Sequence, residues 1–156
     1  MSMDLAGHVK KSSKGLPWLG TFHSISAKLL RKHASAVNLN SNFTIIDQDD
    51  QVRLIKNICK DENIDVKKIS PKYILAVIDK WKNKGFYPEK VILKQKDVIE
   101  QGILKIYKIY QKKILDLNAC DFGDLILHCV NIFENNSDIK NIYSNNFKYI
   151  LVDEYQ

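Results

Sequence analysis

The feature that most restricts the fold is a succession of amphipathic segments, most of which open on a helix start signal. Asp47 and Asp121 are N-cap residue types, and Ser70-Pro71 is a cap followed by proline at the first helical position. Residues 96–116 repeat apolar side chains at helical spacing. The predicted inward stripes are Val52, Ile55, Ile58 and Cys59; Ile74, Val77, Ile78 and Trp81; Ile99, Ile103, Ile106, Tyr107, Tyr110 and Ile114; Phe122, Leu125, Ile126, Cys129, Val130 and Phe133. The pattern predicts a mainly α fold, with Gly85 ending the second helix.

Short extended segments are predicted outside these helices. Residues 18–22 are typical of a short strand that leads into a helix, and residues 43–46 of an extended link. A short helix is expected from Ser137 to about Tyr143. Residues 149–152 form an apolar run that is typical of a strand buried on both faces. Because one terminal strand cannot form a sheet, we expect the chain to be part of something larger.

Length and composition describe one globular domain. The chain has 156 residues, of which 45% are hydrophobic. No apolar stretch approaches the 18 residues of a membrane span, and residues 1–16, a polar and loose segment, lack a signal-peptide pattern. We therefore expect a cytoplasmic protein. Three cysteines without CxxC spacing predict reduced, buried thiols, and the four scattered histidines show no metal-ligand spacing.

The net charge of +6 permits a polyanionic partner. All but two of the 24 basic residues are lysine, however, and phosphate recognition usually prefers arginine. Charge alone therefore indicates nucleic acid only modestly. Some lysines between residues 80 and 96 could face duplex DNA, but a solvated surface accounts for most of this set. The set comprises Lys80, Lys82, Lys84, Lys90, Lys94 and Lys96.

Two adjacent carboxylates follow the terminal apolar run. Asp153 and Glu154 would lie at the carboxyl edge of a sheet, where ligands bind in open α/β folds. In phosphate-hydrolysing proteins an Asp at this edge holds Mg²⁺, and a neighbouring acid orients the attacking water. Taken alone, the pair is equally compatible with an acidic loop that closes a strand.

Three motifs occur in a fixed order: Gly20-Thr21-Phe22-His23-Ser24, Asp121-Phe122-Gly123-Asp124-Leu125-Ile126 and Ile150-Leu151-Val152-Asp153-Glu154-Tyr155-Gln156. Together they resemble the UvrD/Rep/PcrA family of superfamily 1 DNA helicases over residues 18–156. The resemblance implies a helical accessory (1B-type) domain at 35–118. It also implies that short flanking strands belong to an incomplete RecA-like α/β domain (1A) at 18–34 and 119–156, after a loose segment at 1–17.

The resemblance further implies ATP hydrolysis coupled to 3′-to-5′ movement on single-stranded DNA and to duplex unwinding in repair or replication. By that resemblance Asp153 would bind Mg²⁺, Glu154 would activate the water that attacks ATP, and Gln156 would lie near the γ-phosphate. Thr21, His23, Ser24 and, less strongly, Phe22 would contact single-stranded DNA. Phe22 and Phe122 also fit a core position, and Asp121 and Asp124 fit a helix cap and a first-turn acid.

The chain departs from the family pattern at two points. Gly123 replaces a residue that is often acidic, and no G-x-x-x-x-G-K-[ST] phosphate loop is present. We therefore expect these 156 residues to be an inactive fragment of a helicase. The alternatives are a stand-alone helical module that binds DNA or protein without catalysis, and the nuclease-fused RecB/AddA branch of the family. The sequence identifies no protein partner.

Overall fold

The computed structural model describes the backbone of residues 17–141 and the side chains of residues 23–141. These residues are mainly helical, as predicted. The helices are α1 (Pro17–Lys32), α2 (Gln48–Asp61), α3 (Pro71–Asn83), α4 (Val98–Asp116) and α5 (Phe122–Asn135), and residues 137–141 are also helical. Single 3-10 turns cover Ala34–Val37 and Pro88–Lys90. The described residues also contain two short strands, β1 (Thr44–Ile45) and β2 (Ala119–Cys120).

The predicted helix caps are present. The Asp50 backbone N–H donates to Asp47 Oδ1 at 2.9 Å, which caps α2. The Tyr73 N–H donates to Ser70 Oγ at 3.2 Å, and Pro71 follows as the first residue of α3. Each bond satisfies a backbone donor that the first turn of a helix leaves unpaired. These two confirmed caps explain why the starts of α2 and α3 could be placed from the sequence.

One predicted element is wrong. Residues 18–22 belong to α1 rather than to a strand, since this helix runs without interruption from Pro17 to Lys32. Proline is well suited to the first helical position because its φ angle is already helical and its missing N–H has no partner to lose. The short apolar run was interpreted as a strand although a helix start signal preceded it.

The two strands pair in parallel, with Thr44 opposite Ala119 and Ile45 opposite Cys120. Flanking hydrogen bonds extend the pairing, since Ile46 N–H donates to the Cys120 carbonyl at 2.8 Å. The extended link at 43–46 is thus confirmed, whereas β2 was not predicted. The predicted strand at 149–152 and the end of the last helix near residue 143 lie outside the described residues.

Within residues 23–141, the apolar interior forms two clusters. The first cluster lies between α1 and α5 and includes Leu30, Phe43 and Leu125. The second cluster fills the three-helix unit, by which we mean α2, α3 and α4. The stripes of these helices are confirmed except at Ile99, which was predicted to face inward but is 53% exposed. Ile99 lies in the first turn of α4, beyond the reach of the neighbouring helices' apolar faces.

Two compositional predictions can be compared with the structure. Cys59, Cys120 and Cys129 are free and buried, as predicted. Burial raises the pKa of Cys129 to about 12, so this thiol keeps its proton at neutral pH. Among the described residues, no helix combines the length and the apolar character that crossing a bilayer requires.

Candidate functional site

Only part of the predicted site can be compared with the structure. Asp153, Glu154 and Gln156 lie outside the described residues. Thr21 and Phe22 belong to the backbone of α1, but their side chains are outside the described set. His23 and Ser24 follow on the same helix and are both half-buried. They are the predicted DNA-contacting side chains whose surroundings are known.

The ring of His23 lies against the ring of Phe122. Their centroids are 6.2 Å apart and the ring planes meet at 83°, an edge-to-face arrangement. His23 comes from α1 and Phe122 is the first residue of α5, so two motifs far apart in sequence meet here. Phe122 was predicted to be core; it packs against the first cluster but stays partly exposed.

This ring pair borders a cavity of about 310 Å³. Its walls come from α1, α2, α3 and α5, and the lining residues are His23, Gln48, Gln51, Asp79, Asn83, Phe122, Gly123 and Ile126. Aromatic rings and an isoleucine offer flat apolar surface, while the amides and the carboxyl group offer hydrogen-bond donors and acceptors. Such a lining suits a planar group with a polar edge.

A buried lysine lies beside the cavity. Lys82 Nζ is 2.6 Å from Asp121 Oδ2 and 2.9 Å from Asp124 Oδ1, and all three side chains are 0% exposed. Lys82 is therefore the exception in its set, since a solvated surface was predicted for most of the lysines between residues 80 and 96. The remaining lysines of that set are exposed, as predicted. The spacing did contain a signal, because Lys82 follows Ile78 by four residues and so falls on the buried face of α3.

Every helix of the three-helix unit sends a polar side chain to the same two acids. From α2, Gln51 Nε2 donates to Asp121 Oδ2 at 3.0 Å. From α4, Tyr110 OH donates to the same oxygen at 2.7 Å. Gln111 Nε2, also from α4, donates to Asp124 Oδ1 at 2.8 Å. We call the six side chains the polar joint: Gln51, Lys82, Tyr110, Gln111, Asp121 and Asp124.

The two acids also build the start of α5, as predicted. Asp124 N–H donates to Asp121 Oδ1 at 2.8 Å, and Asp121 N–H donates to Asp124 Oδ2 at 3.2 Å. This reciprocal pair is a capping box. The same carboxylates therefore serve as a helix cap and as the receptors for Lys82, a second role that the cap pattern alone does not indicate.

The charges of the joint shift the pKa values around it. Burial lowers the pKa of Lys82, but Asp121 and Asp124 raise it more, so its pKa is raised overall. Burial raises the pKa of Asp124, but the charge of Lys82 and the hydrogen bond from Gln111 outweigh this, so the net pKa is lowered. Both groups are thus charged at neutral pH. At the cavity wall, burial and the nearby Asp121 carboxylate raise the pKa of Asp79 to about 6.

Gly123 makes room for the lysine. A Cβ atom at this position would lie 3.0 Å from Lys82 Cδ and 3.4 Å from Asp121 Oδ1. An acidic side chain here would have to displace the aliphatic part of Lys82. Glycine at this position therefore has a steric reason in this chain.

Cys120, Asp124 and His128 bring three potential metal ligands within 4.8 Å of one another. Their ligand atoms are largely engaged already. Lys82 and Gln111 both donate to Asp124 Oδ1, and Tyr87 OH lies 2.6 Å from His128 Nδ1. A cation here would also meet the Lys82 ammonium. The group is better described as part of the buried hydrogen-bond network than as a metal centre.

Comparison with known proteins gives one family. The model of the UvrD/REP helicase N-terminal domain matches residues 1–156. The probable DNA helicase II homolog of Rickettsia conorii is 43% identical over 141 residues, which cover 88% of this chain and 22% of that protein. The ATP-dependent DNA helicase PcrA of Staphylococcus epidermidis is 40% identical over 139 residues, 89% of this chain and 19% of that protein. The chain thus spans about a fifth of the length of these relatives.

Proposed function

Because this chain belongs to the UvrD/REP helicase N-terminal domain family, we propose that it works as part of an ATP-dependent DNA helicase. In the complete protein, ATP hydrolysis would drive 3′-to-5′ movement along single-stranded DNA and the unwinding of duplex DNA. The contribution of the described residues is a surface for single-stranded DNA. We place that surface at His23, Ser24 and Phe122, and by sequence continuity at Thr21 and Phe22.

The observation that carries the proposal is the His23–Phe122 ring pair at the mouth of the cavity. Single-strand binding sites commonly offer aromatic rings to the bases, because every base has a flat face that can stack. Asn83 and Gln48 add amide groups to the cavity wall that could bond a base edge. Ser24 follows His23 on α1, and its hydroxyl could donate to a phosphate. Rings and amides around one cavity match the chemistry of an unpaired base.

The nucleotide-handling residues are proposed from the terminal motif. Asp153 and Glu154 offer the oxygen ligands that Mg²⁺ prefers, and we assign Asp153 to the metal ion and Glu154 to the attacking water. Bound Mg²⁺ would neutralise charge on the phosphates of ATP. Gln156 would lie close to the γ-phosphate. Since the 156 residues contain no G-x-x-x-x-G-K-[ST] loop, we expect no ATP hydrolysis from this chain alone.

We also propose that the two apolar clusters correspond to two domains of the helicase. The three-helix unit would belong to the accessory 1B domain at 35–118. Helices α1 and α5 would belong to the RecA-like 1A domain, as parts of 18–34 and 119–156. The separate second cluster inside α2, α3 and α4 supports this division. A cytoplasmic location follows from the proposed work on DNA.

The DNA surface can be tested by fluorescence anisotropy with a labelled single strand. We expect His23→Ala and Phe122→Leu each to weaken binding by about fivefold or more, since the loss of one stacking ring costs roughly 1–3 kcal/mol. Tyr73→Ala is the matched control, because Tyr73 is an aromatic residue that is 50% exposed on α3 and does not line the cavity. Unchanged affinity in both ring variants would refute the assignment.

A salt titration separates this proposal from a module that binds protein instead. Binding through phosphate contacts should weaken steeply with salt, because each neutralised phosphate releases counterions. A single strand should also compete better than a duplex of the same length. A chain that binds neither form would contradict a DNA surface on these residues.

A further inference from the structure

The cavity and the polar joint share the first turn of α5. Asp121 caps this helix and receives Lys82, and Phe122 is the next residue and carries the ring that meets His23. Gly123 follows and leaves space for the lysine chain. Phe122 therefore lies between Asp121, which pairs with Lys82, and Gly123, which leaves room for the Lys82 side chain.

We propose that Lys82 is a positioning residue for the His23–Phe122 ring pair. Its ammonium group fixes the three-helix unit against the first turn of α5 and thereby sets the angle at which Phe122 meets His23. The consequence for DNA binding rests on the function proposed above. The claim that Lys82 sets the geometry of the two rings is independent of that function.

The geometry of the joint explains why a charged group suits this task. Asp121 Oδ2 accepts from Lys82 at 2.6 Å, Tyr110 at 2.7 Å and Gln51 at 3.0 Å, so one oxygen receives a donor from each helix of the unit. Hydrogen bonds depend on distance and angle, whereas apolar contacts tolerate sliding. A shift of α3 against α5 would leave buried donors unpaired, which is costly. The joint therefore favours a single arrangement.

The charges around Lys82 come from several elements. Asp121 and Asp124 on α5 contact its ammonium group directly, and Asp79 on α3 lies one turn before it. The rings of Tyr110 and Tyr107 on α4 lie with their centroids 5.0 and 5.8 Å from Nζ. His128 stays neutral, since burial lowers its pKa. The ammonium is thus enclosed by groups that stabilise a positive charge.

The test removes the charges without leaving one unpaired. In the variant Lys82→Met/Asp121→Asn/Asp124→Asn, asparagine keeps the cap of α5 and methionine keeps most of the lysine volume. We expect this variant to stay folded by circular dichroism. The NMR signal of the His23 ring, assigned with His23→Gln, should shift because the ring current of Phe122 changes. Affinity for single-stranded DNA should fall by about tenfold, as expected for coupling through a packed network.

Lys72→Met is the matched control, since Lys72 is exposed in the first turn of the same helix and loses the same charge. It should leave the His23 signal in place. Asp124→Asn is a milder second variant, because it keeps the Lys82–Asp121 pair; we expect a smaller shift in the same direction and about threefold weaker binding. This variant decides the question if the triple variant does not fold.

The two readouts separate the two proposals. An unmoved His23 signal in the joint variants overturns the positioning role, whatever happens to DNA binding. A moved signal together with unchanged DNA affinity supports the positioning role and contradicts the DNA surface. A moved signal with weaker binding supports both.

Discussion

Lys82 places a full positive charge in the protein interior, where an ion that loses its partner costs several kcal/mol. We predict that Lys82→Met alone lowers the free energy of unfolding by about 3–5 kcal/mol, because Asp121 and Asp124 would remain buried without their cation. Urea denaturation measures this loss.

The triple variant with both acids changed to asparagine should recover most of that stability. The difference between the two variants isolates the cost of unpaired charge from the cost of lost packing. Equal destabilisation in both would show that the volume of the side chain matters more than its charge.

Asp79 predicts a dependence of stability on pH. Its pKa is about 6 in the folded chain against 3.8 for a free side chain, so the folded state holds this proton more tightly. The resulting stabilisation is complete below about pH 4 and is lost as the pH rises through 6. Asp79→Asn should therefore be more stable than the parent at pH 7, by about 1 kcal/mol after allowance for solvent screening. The two should be equal near pH 3.5 by thermal denaturation.

The sequence predicts single residues well where their role is local. Asp47, Ser70 and Asp121 cap helices because their bonds reach only three residues ahead. The partners of Lys82 are 39 and 42 residues away in sequence and depend on how α3 packs against α5. Such long-range pairing cannot be derived from spacing within one helix. This is why the sequence does not single out Lys82 as the buried member of its lysine set.

We predict opposite effects on stability for the same substitution at two glycines, one in α4 and one in α5. Gly102 lies inside α4, and no atom would come within 4 Å of an added Cβ. Gly102→Ala should stabilise the chain by about 0.5–1 kcal/mol, because glycine weakens a helix interior.

Gly123→Ala should instead destabilise the chain by about 1–3 kcal/mol through crowding of Lys82. Thermal melts of the two variants, recorded side by side, measure both values. If both substitutions stabilised the chain equally, the Lys82 side chain would have moved aside without loss of stability.

Elements with strong start signals and long apolar stripes were predicted correctly, whereas strand β2 and the first residues of α1 were not. Strand β2 has two residues and forms only because β1 is beside it, so no pattern along the chain indicates it. The first residues of α1 have an apolar run short enough to fit either a strand or a helix. In both cases the decision depends on neighbours in space rather than in sequence.

At the scale of the molecule, the polar joint should make the two apolar clusters unfold together. Ile106→Val in the second cluster should cost about 1 kcal/mol. If the joint couples the clusters, the most protected amides of α5 should lose protection by the same amount in hydrogen exchange. Loss confined to α2, α3 and α4 would show that the clusters open independently.

The division into clusters became visible only in three dimensions, while the helical class was evident from the sequence. The stripes predict which residues are buried but not which helix each stripe meets. The ring pair shows the same limit: both motifs were recognised, yet their meeting at His23 and Phe122 depends on how α1 lies on α5. The core position predicted for Phe122 is confirmed in part, because its ring packs against the first cluster and also meets His23.

The parallel pairing of β1 with β2 places Thr44 and Ile45 beside Ala119 and Cys120, although the whole three-helix unit lies between the two strands in sequence. The three-helix unit thus leaves the rest of the chain after β1 and returns to it at β2, the neighbouring strand of the same small sheet. The three-helix unit of a relative could replace this one with only two junctions in the chain, at residues 46 and 118. The chimaera would fold stably only if the incoming segment also supplied a lysine to pair with Asp121 and Asp124.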